Sequence, residues 1–423
     1  MASAEIMGID KEKSVVVLGG GIAGITAALE LTRAGLKVAL VEKSPFFGGQ
    51  AAHFCCKATD VCQKCGACRV EQALRDLLVT PGLALYLQTE MVASNRANGL
   101  FHLTLKSQPR IIDPHRCIDC GICLDECPAA AQGAIQTSAS AENHPRFAVN
   151  RATCLYFRDG SCRTCQDICF AKAIDLERPE ATVTLEAAAL VLATGYQPAE
   201  PRVQAIYAKA RSPQIITGRD LEESLRQGGP LVRPGDGRPV RRLGFIQCVG
   251  SRDQDRPYCS RVCCSYGLRL ARLIRHRWPE CEVTTFYMDL QNVGQDPENF
   301  EKACGQEINL VRALPGDAAV TADGSLRLRY LDEESGRPLA QEVDLLVLAV
   351  GIAPGPDNPR LAEMLDLALT PEGFLKPRED LPGTDTPGIF LAGTAAGPKN
   401  ILECIAEATG SARQVRQYLE AST

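Results

Sequence analysis

A strand that runs straight into a glycine-rich turn leaves a chain few folds to adopt. Ser14-Val-Val-Val-Leu is such a strand, and Gly19-Gly20-Gly21-Ile-Ala-Gly24 follows it in the pattern G-x-G-x-x-G. Each glycine has its own task there. Gly19 makes the tight turn, Gly21 lets the backbone approach a pyrophosphate, and Gly24 lets helix and strand pack closely. Ile22–Ala34 then carries a helical pattern, and Lys37–Glu42 reads as a second strand. The free N–H groups at the helix N-terminus suit phosphates. Glu42 lies 18 residues beyond Gly24, where a carboxylate accepts from ribose hydroxyls. Strand, turn, helix, second strand and acid are all in order, so a dinucleotide-binding βαβ unit is predicted rather than a glycine-rich structural turn.

The rest of the chain reads as α/β. Ala188–Thr194 and Leu345–Val350 are continuous apolar runs, each followed by Gly, as buried parallel strands are. Leu83–Gln88, Val92–Ser94 and Phe101–Lys106 alternate like an antiparallel meander, and Gly228–Pro239 reads as a loop or boundary between halves. A length of 423 residues suits two to three domains. Lys+Arg is 46 against Asp+Glu 51, which argues against a general nucleic-acid binder. No apolar run approaches the roughly 18 residues of a membrane helix. Met1–Ser14 has neither an apolar h-region nor an Arg-rich amphipathic pattern, so a cytoplasmic protein without a membrane span of its own is expected.

Twenty cysteines are far too many for an ordinary cytoplasmic enzyme, where clustered thiols serve as metal ligands or redox groups. Cys117, Cys120, Cys123 and Cys127, followed by Pro128, give C-x2-C-x2-C-x3-C-P, the bacterial ferredoxin run. Cys154, Cys162, Cys165 and Cys169 repeat it with a longer first gap and Phe170 in place of Pro. In such runs three thiolates hold one [4Fe–4S] cluster and the fourth reaches its neighbour. Cys117, Cys120, Cys123 and Cys169 are therefore predicted to hold one cluster. Cys154, Cys162, Cys165 and Cys127 are predicted to hold the other, in preference to two zinc sites. A further group, Cys62, Cys65 and Cys68 with Cys56 or its neighbour Cys55, supplies a third cluster. Zinc or a redox-active Cys62–Cys65 dithiol are its alternatives. Cys248, Cys259, Cys263 and Cys264 fit no standard formula.

Glu42-Lys43-Ser-Pro-Phe-Phe-Gly48-Gly49, Leu192-Ala-Thr194-Gly195 and Gly388-Ile-Phe-Leu-Ala-Gly393 resemble the flavin-contacting segments of thioredoxin-reductase-like proteins. The resemblance implies FAD as the dinucleotide, held by Gly19, Gly21, Gly24, Glu42, Lys43, Gly49, Thr194, Gly195 and Gly393. Thr394 stands where those proteins carry Asp, and the second G-x-G-x-x-G expected for NAD(P)H is replaced by Leu243-Gly-Phe-Ile-Gln-Cys248-Val-Gly250. That segment, with Tyr258-Cys-Ser-Arg-Val-Cys263-Cys264 and Ala392-Gly-Thr-Ala-Ala-Gly-Pro-Lys399, resembles the A subunits of heterodisulfide reductases. The resemblance implies that Cys248, Cys259, Cys263 and Cys264 bind a fourth [4Fe–4S] cluster close to the flavin, as its first electron partner. It also implies that Lys399 donates to the isoalloxazine and stabilises its reduced form.

The implied fold is a two-dinucleotide-binding-domain α/β flavoprotein with an inserted α+β ferredoxin module. Its divisions would be residues 1–110, the module at 111–177, 178–235, a second Rossmann-like domain at 236–355, and 356–423. The implied function is an oxidoreductase subunit passing electrons between FAD and clusters, with electron bifurcation a mode that several relatives use. Its partners would be B- and C-type subunits of such a reductase and ferredoxin or hydrogenase-type donors, in a complex that admits a homodimer. Two other readings compete: a stand-alone flavin disulfide reductase, which NAD(P)H would bleach, and a quinone-linked subunit, which would co-purify with a membrane partner. Arg269, Arg272, Arg275 and Arg277 read as a solvated helix face, and Cys281, Cys304 and Cys404 as small buried residues. The five His are scattered, which gives hydrolysis no support.

Overall fold

Strand β1 (Ser14–Leu18) is buried from end to end, and a strand covered on both faces belongs inside a parallel sheet. In the computed structural model, which describes residues 14–199, 212–291, 296–333, 335–379 and 382–421, it is the central strand of five. On one side lie β2 (Lys37–Val41) and β3 (Leu83–Tyr86); on the other lie β9 (Ala189–Leu192) and β20 (Ile389–Leu391), all parallel. Helix α1 (Ile22–Arg33) packs on one face with α2 (Ala67–Val79) and the long α9 (Ile401–Ala421), closing a core of Ile25, Leu31, Leu40, Leu74 and Val415. The meander forms from other strands than expected. Leu83–Tyr86 is the edge of the parallel sheet, and Gln88 at φ 51° turns the chain out of it. The antiparallel sheet is β4 (Thr89–Ala97), β5 (Leu100–Ser107) and β8 (Ala181–Ala187).

Strands β5 and β8 are neighbours in register, with Ser107 opposite Ala181, so the intervening residues leave and rejoin the sheet at one point. They form a unit with its own core of Ile111, Ile112, Ile135, Phe147, Ile174 and Leu176. A bridge between Ile112 and Ile174 ties its entry to its exit, and β6 (Ile135–Thr137) pairs with β7 (Phe147–Val149) inside it. Its cysteines lie in and around the short helices α3 (Ile122–Asp125), α4 (Leu155–Asp159) and α5 (Thr164–Ile168).

The second parallel sheet runs β11 (Ile215–Thr217), β18 (Leu345–Val350), β12 (Arg242–Val249), β13 (Glu282–Phe286), β14 (Asn309–Val311). Helices α6 (Gly218–Arg226) and α7 (Cys263–Arg277) pack against it, with α8 (Pro297–Glu307) against α7. A small antiparallel sheet of β15 (Asp317–Val320), β16 (Leu326–Leu331) and β17 (Pro338–Val343) lies beside it, and β10 (Tyr196–Pro198) pairs with β19 (Ile352–Pro354). Residues 228–239 do form a loop, but one inside this second unit, because β11 on its N-terminal side hydrogen-bonds to β18. A division at 235/236 is therefore misplaced; glycine and proline mark a turn whether it lies within a unit or between two.

Candidate functional site

A large cavity lies where two glycine loops meet. Gly48 N–H donates to Gly20 O at 2.7 Å, and Gly21 bridges Gly48. A Cβ on Gly24 would stand 1.8 Å from Gly19 O, so Gly24 serves the helix–strand contact behind the cavity. A Cβ on Gly21 would meet nothing nearer than Gly49 Cα at 3.9 Å, leaving the space in front of it open. The cavity holds about 710 Å³, within the range of small-molecule and cofactor sites.

Glu42, Lys43, Gly49, Thr194, Gly195 and Lys399 line it along with Gly19 and Gly21. Glu42 is fixed from below, accepting from Gly20 N at 2.5 Å and Ser44 N at 2.7 Å. Lys43 pairs with Asp357. The buried Oγ1 of Thr194 has no hydrogen-bond partner among the described residues, an orphan that a polar ligand would satisfy. Lys399 Nζ sits 3.3 Å from both Gly393 O and Glu407 Oε1. Burial raises the Glu407 carboxyl above its ordinary value, opposed by Lys399 and by the Gly393 N–H. Gly393 itself stands behind the wall at φ 69°, its would-be Cβ 2.6 Å from Ala23, while Thr394 faces the cavity. Open volume, glycine cradle, orphan hydroxyl and acid fit a dinucleotide of FAD's size.

Residues that the spacing did not single out complete the walls. Arg219 donates to Gln50 Oε1 at 2.9 Å and stands 3.0 Å from His53 Nε2, while His53 Nδ1 lies 3.2 Å from Glu223. Burial, with Arg219 second, lowers the His53 pKa. Lys57 and Glu222, 2% and 0% exposed, pair at 2.5 Å, with Lys57 Nζ 5.2 Å from the rings of Phe54 and Tyr266. Removing either partner would strand a buried charge, at about 3–5 kcal/mol. The inserted unit also contributes: Gln136, Thr137, Ser138 and Ala139 line the cavity, and Asn143 exchanges hydrogen bonds with Phe47 N and O at 3.1 and 3.0 Å. No local pattern announces such long-range partners.

Within the inserted unit, Cys117, Cys120, Cys123 and Cys169 line one small cavity with Ile118 and Phe170, and Cys127, Cys154 and Cys162 line a second; Cys165 lines both. Burial and the neighbouring thiols push Cys123 up to about 11 and Cys165 to about 12. Cys248, Cys263 and Cys264 are buried, the last two opening α7, and burial and its three sister thiols raise Cys263 most. The loop from β12 to α7 lacks the glycine turn of a nicotinamide site. Ser260 closes it: its Oγ accepts from Ile352 N at 2.9 Å and would lie 2.7 Å from a Cβ on Gly351. In the first group Cys56, Cys62 and Cys68 are exposed and Cys65 lines the large cavity, which none of the Cys248–Cys264 thiols does. Cys55 is buried, its N–H donates to Glu222, and burial with that carboxylate pushes its thiol up to about 12.

Among the described residues no three His, Cys, Asp or Glu side chains converge on a single metal ion. In the inserted unit the thiols instead line two small cavities, a donor set that fits thiolate-ligated clusters. One backbone device recurs. Lys64, Asp119 and Arg261, at φ 50°, 54° and 60°, each donate N–H to the sulfur two residues earlier, on Cys62, Cys117 and Cys259, at 3.4, 3.5 and 3.3 Å. Gly66 and Gly121, both at φ 82°, then open α2 and α3. The C-x2-C-G-x-C turns at Cys62 and Cys117 therefore share one conformation.

Solved structures with this fold include the thioredoxin reductases of T. acidophilum and Lactococcus lactis. They match over 97% of this chain with TM-scores of 0.53 and 0.52 at 12% and 14% identity, which speaks for the fold alone. Residues 14–63 match the FAD dependent oxidoreductase family and residues 110–132 the 4Fe-4S binding domain. The chain is 31% identical over 96% of its length to the A-type subunit of the H(2):CoB-CoM heterodisulfide,ferredoxin reductase of Methanothermobacter thermautotrophicus. It is 32% identical over 100% of its length to an A-type iron-sulfur subunit of the CoB--CoM heterodisulfide reductase of Methanopyrus kandleri. It spans 63% and 66% of the length of these two relatives.

Proposed function

Because the chain belongs to the family of heterodisulfide reductase A subunits, we propose that it is the FAD- and cluster-bearing electron-transfer subunit of a multi-subunit oxidoreductase. The single observation that carries this reading is the large cavity, whose lining includes Cys65 as well as Val262 and Ser265, the neighbours of Cys263 and Cys264. FAD bound there supplies exchange between electron pairs and single electrons, the chemistry that joins a two-electron substrate to one-electron clusters.

The chain's own residues do the rest. Glu42 orients the ribose end, the glycine loops cradle the pyrophosphate, and the Lys399 ammonium places a positive charge beside the ring system. Four [4Fe–4S] clusters are proposed. Two lie in the inserted unit, on Cys117, Cys120, Cys123 and Cys169 and on Cys127, Cys154, Cys162 and Cys165. A third is held by Cys248, Cys259, Cys263 and Cys264. The fourth is held by Cys56, Cys62, Cys65 and Cys68, since Cys55 lies against the Glu222 carboxylate, where an anionic thiolate is disfavoured. Bifurcation, cytoplasmic location and partners of the B-type, C-type, ferredoxin or hydrogenase kind belong to the same proposal. Among the described residues no helix is long and apolar enough to cross a membrane.

Anaerobic analysis of the purified chain tests it: about 16 iron by ligand counting, one FAD, and no bleaching by NAD(P)H. About eight iron with zinc in the remaining sites, or rapid reduction by either nicotinamide, would overturn it.

A further inference from the structure

Helix α7 joins three places. It opens on Cys263 and Cys264, its next turns place Ser265, Tyr266 and Arg269 in the cavity wall, and Arg269 and Arg272 then reach the first cysteine group. These arginines are not the solvated face their spacing suggested. Arg269, Arg272 and Arg275 are half-buried, and only Arg277 of the four is exposed.

Arg272 has every arm engaged. It grips Glu307 at 2.8 and 2.6 Å and donates to Gln63 Oε1 at 3.0 Å, steadying the loop between Cys62 and Cys65. Arg269 is different. Its buried Nε has no hydrogen-bond partner among the described residues, and its guanidinium carbon stands 6.0 Å from the Phe300 ring. The groups bearing on its charge are the thiols of Cys65, Cys304 and Cys62. Burial pushes Cys304 up to about 11, so it stays a neutral thiol at pH 7. What remains is a half-buried cation with an unmet donor, on the wall of the same cavity that Cys65 lines.

We propose that Arg269 is a positioning residue for electron transfer, its charge and free N–H directed at the Cys62–Cys65 edge of the cluster on the first group and raising that cluster's reduction potential. The proposal rests on the reading that this group holds a cluster. One electron, supplied by reduced flavin in the adjoining cavity or by dithionite in vitro, adds one unit of negative charge to the cluster and takes up no proton. A nearby cation and a hydrogen bond to sulfur stabilise the more negative state. That cluster thus becomes easier to reduce than it would be without the Arg269 charge.

The test is a mediated redox titration, followed by electron paramagnetic resonance, of the full chain loaded with FAD and iron. Cys65→Ala first identifies the signal: it should lose about four iron and one spectral component. Arg269→Met should keep FAD and iron, while the reduced-to-oxidised ratio of that component at fixed potential falls at least tenfold, about 59 mV for one electron. Arg269→Lys should restore most of it. Wild-type midpoints in Arg269→Met, or an equal shift in Arg269→Lys, overturn the role of Arg269. Full iron in Cys65→Ala overturns the underlying cluster instead.

Discussion

Two glycines three residues apart answer different demands. Gly24 is small because Gly19 O would otherwise lie 1.8 Å from its Cβ, while Gly21 faces open space. Gly24→Ala should therefore destabilise the apoprotein, by about 3 kcal/mol or more given so short an overlap, read as a lowered melting temperature. Gly21→Ala should leave apoprotein melting unchanged and weaken FAD binding at least about tenfold, some 1.4 kcal/mol, measured by fluorescence titration. Equal effects in both assays would mean that the two positions share one role. The G-x-G-x-x-G spacing made these residues legible because the constraint is local. The Lys57–Glu222 pair was invisible for the opposite reason: its partners stand 165 residues apart and meet only when the first cysteine loop docks on α6.

At the scale of an element, the first cysteine loop divides two adjacent thiols between core and surface. Cys55 packs with Leu221, Leu225 and Phe245, whereas Cys56 is exposed. Cys56→Ala should lose about four iron with its folding intact. Cys55→Ala should keep all iron and lose about 1 kcal/mol of stability; the reverse pattern would exchange their roles. Spacing could not choose between them, because both lie within reach of Cys62. What chooses is the carboxylate of Glu222, delivered by another helix. The turn from Cys62 to Cys68 was better marked. Gly66 and Gly121 follow the second cysteine of their runs because the chain there adopts φ 82°, which favours glycine. The left-handed Lys64, Asp119 and Arg261, which carry the N–H donors to sulfur, left no such trace, since residue type does not report them.

For the whole molecule, the inserted unit is a guest that also forms part of the host's cavity. Replacing residues 108–180 by a short turn should leave a hairpin of β5 and β8, which already place Ser107 opposite Ala181. The shortened chain should still fold, lose about eight iron and hold FAD roughly tenfold more weakly, the expected effect of losing the two Asn143–Phe47 hydrogen bonds. Undiminished FAD affinity would show that the unit's share of the wall is idle. The two-sheet plan and the ferredoxin insertion were legible because each rests on strong local patterns. The boundary between the sheets was not, since β11 is only Ile215–Thr217, too short to carry a periodic signal. The closure of β5 on β8 also sets an order of events during synthesis. Joining strand ends across about 70 unstructured residues costs on the order of 4 kcal/mol in chain entropy. The Ile112–Ile174 bridge removes most of that cost by bringing the guest's ends together beforehand. The kinetically favoured route is guest first, host sheet second, so a cell that fails to fill the guest's cysteine sites in time should accumulate chains whose antiparallel sheet has not yet zipped.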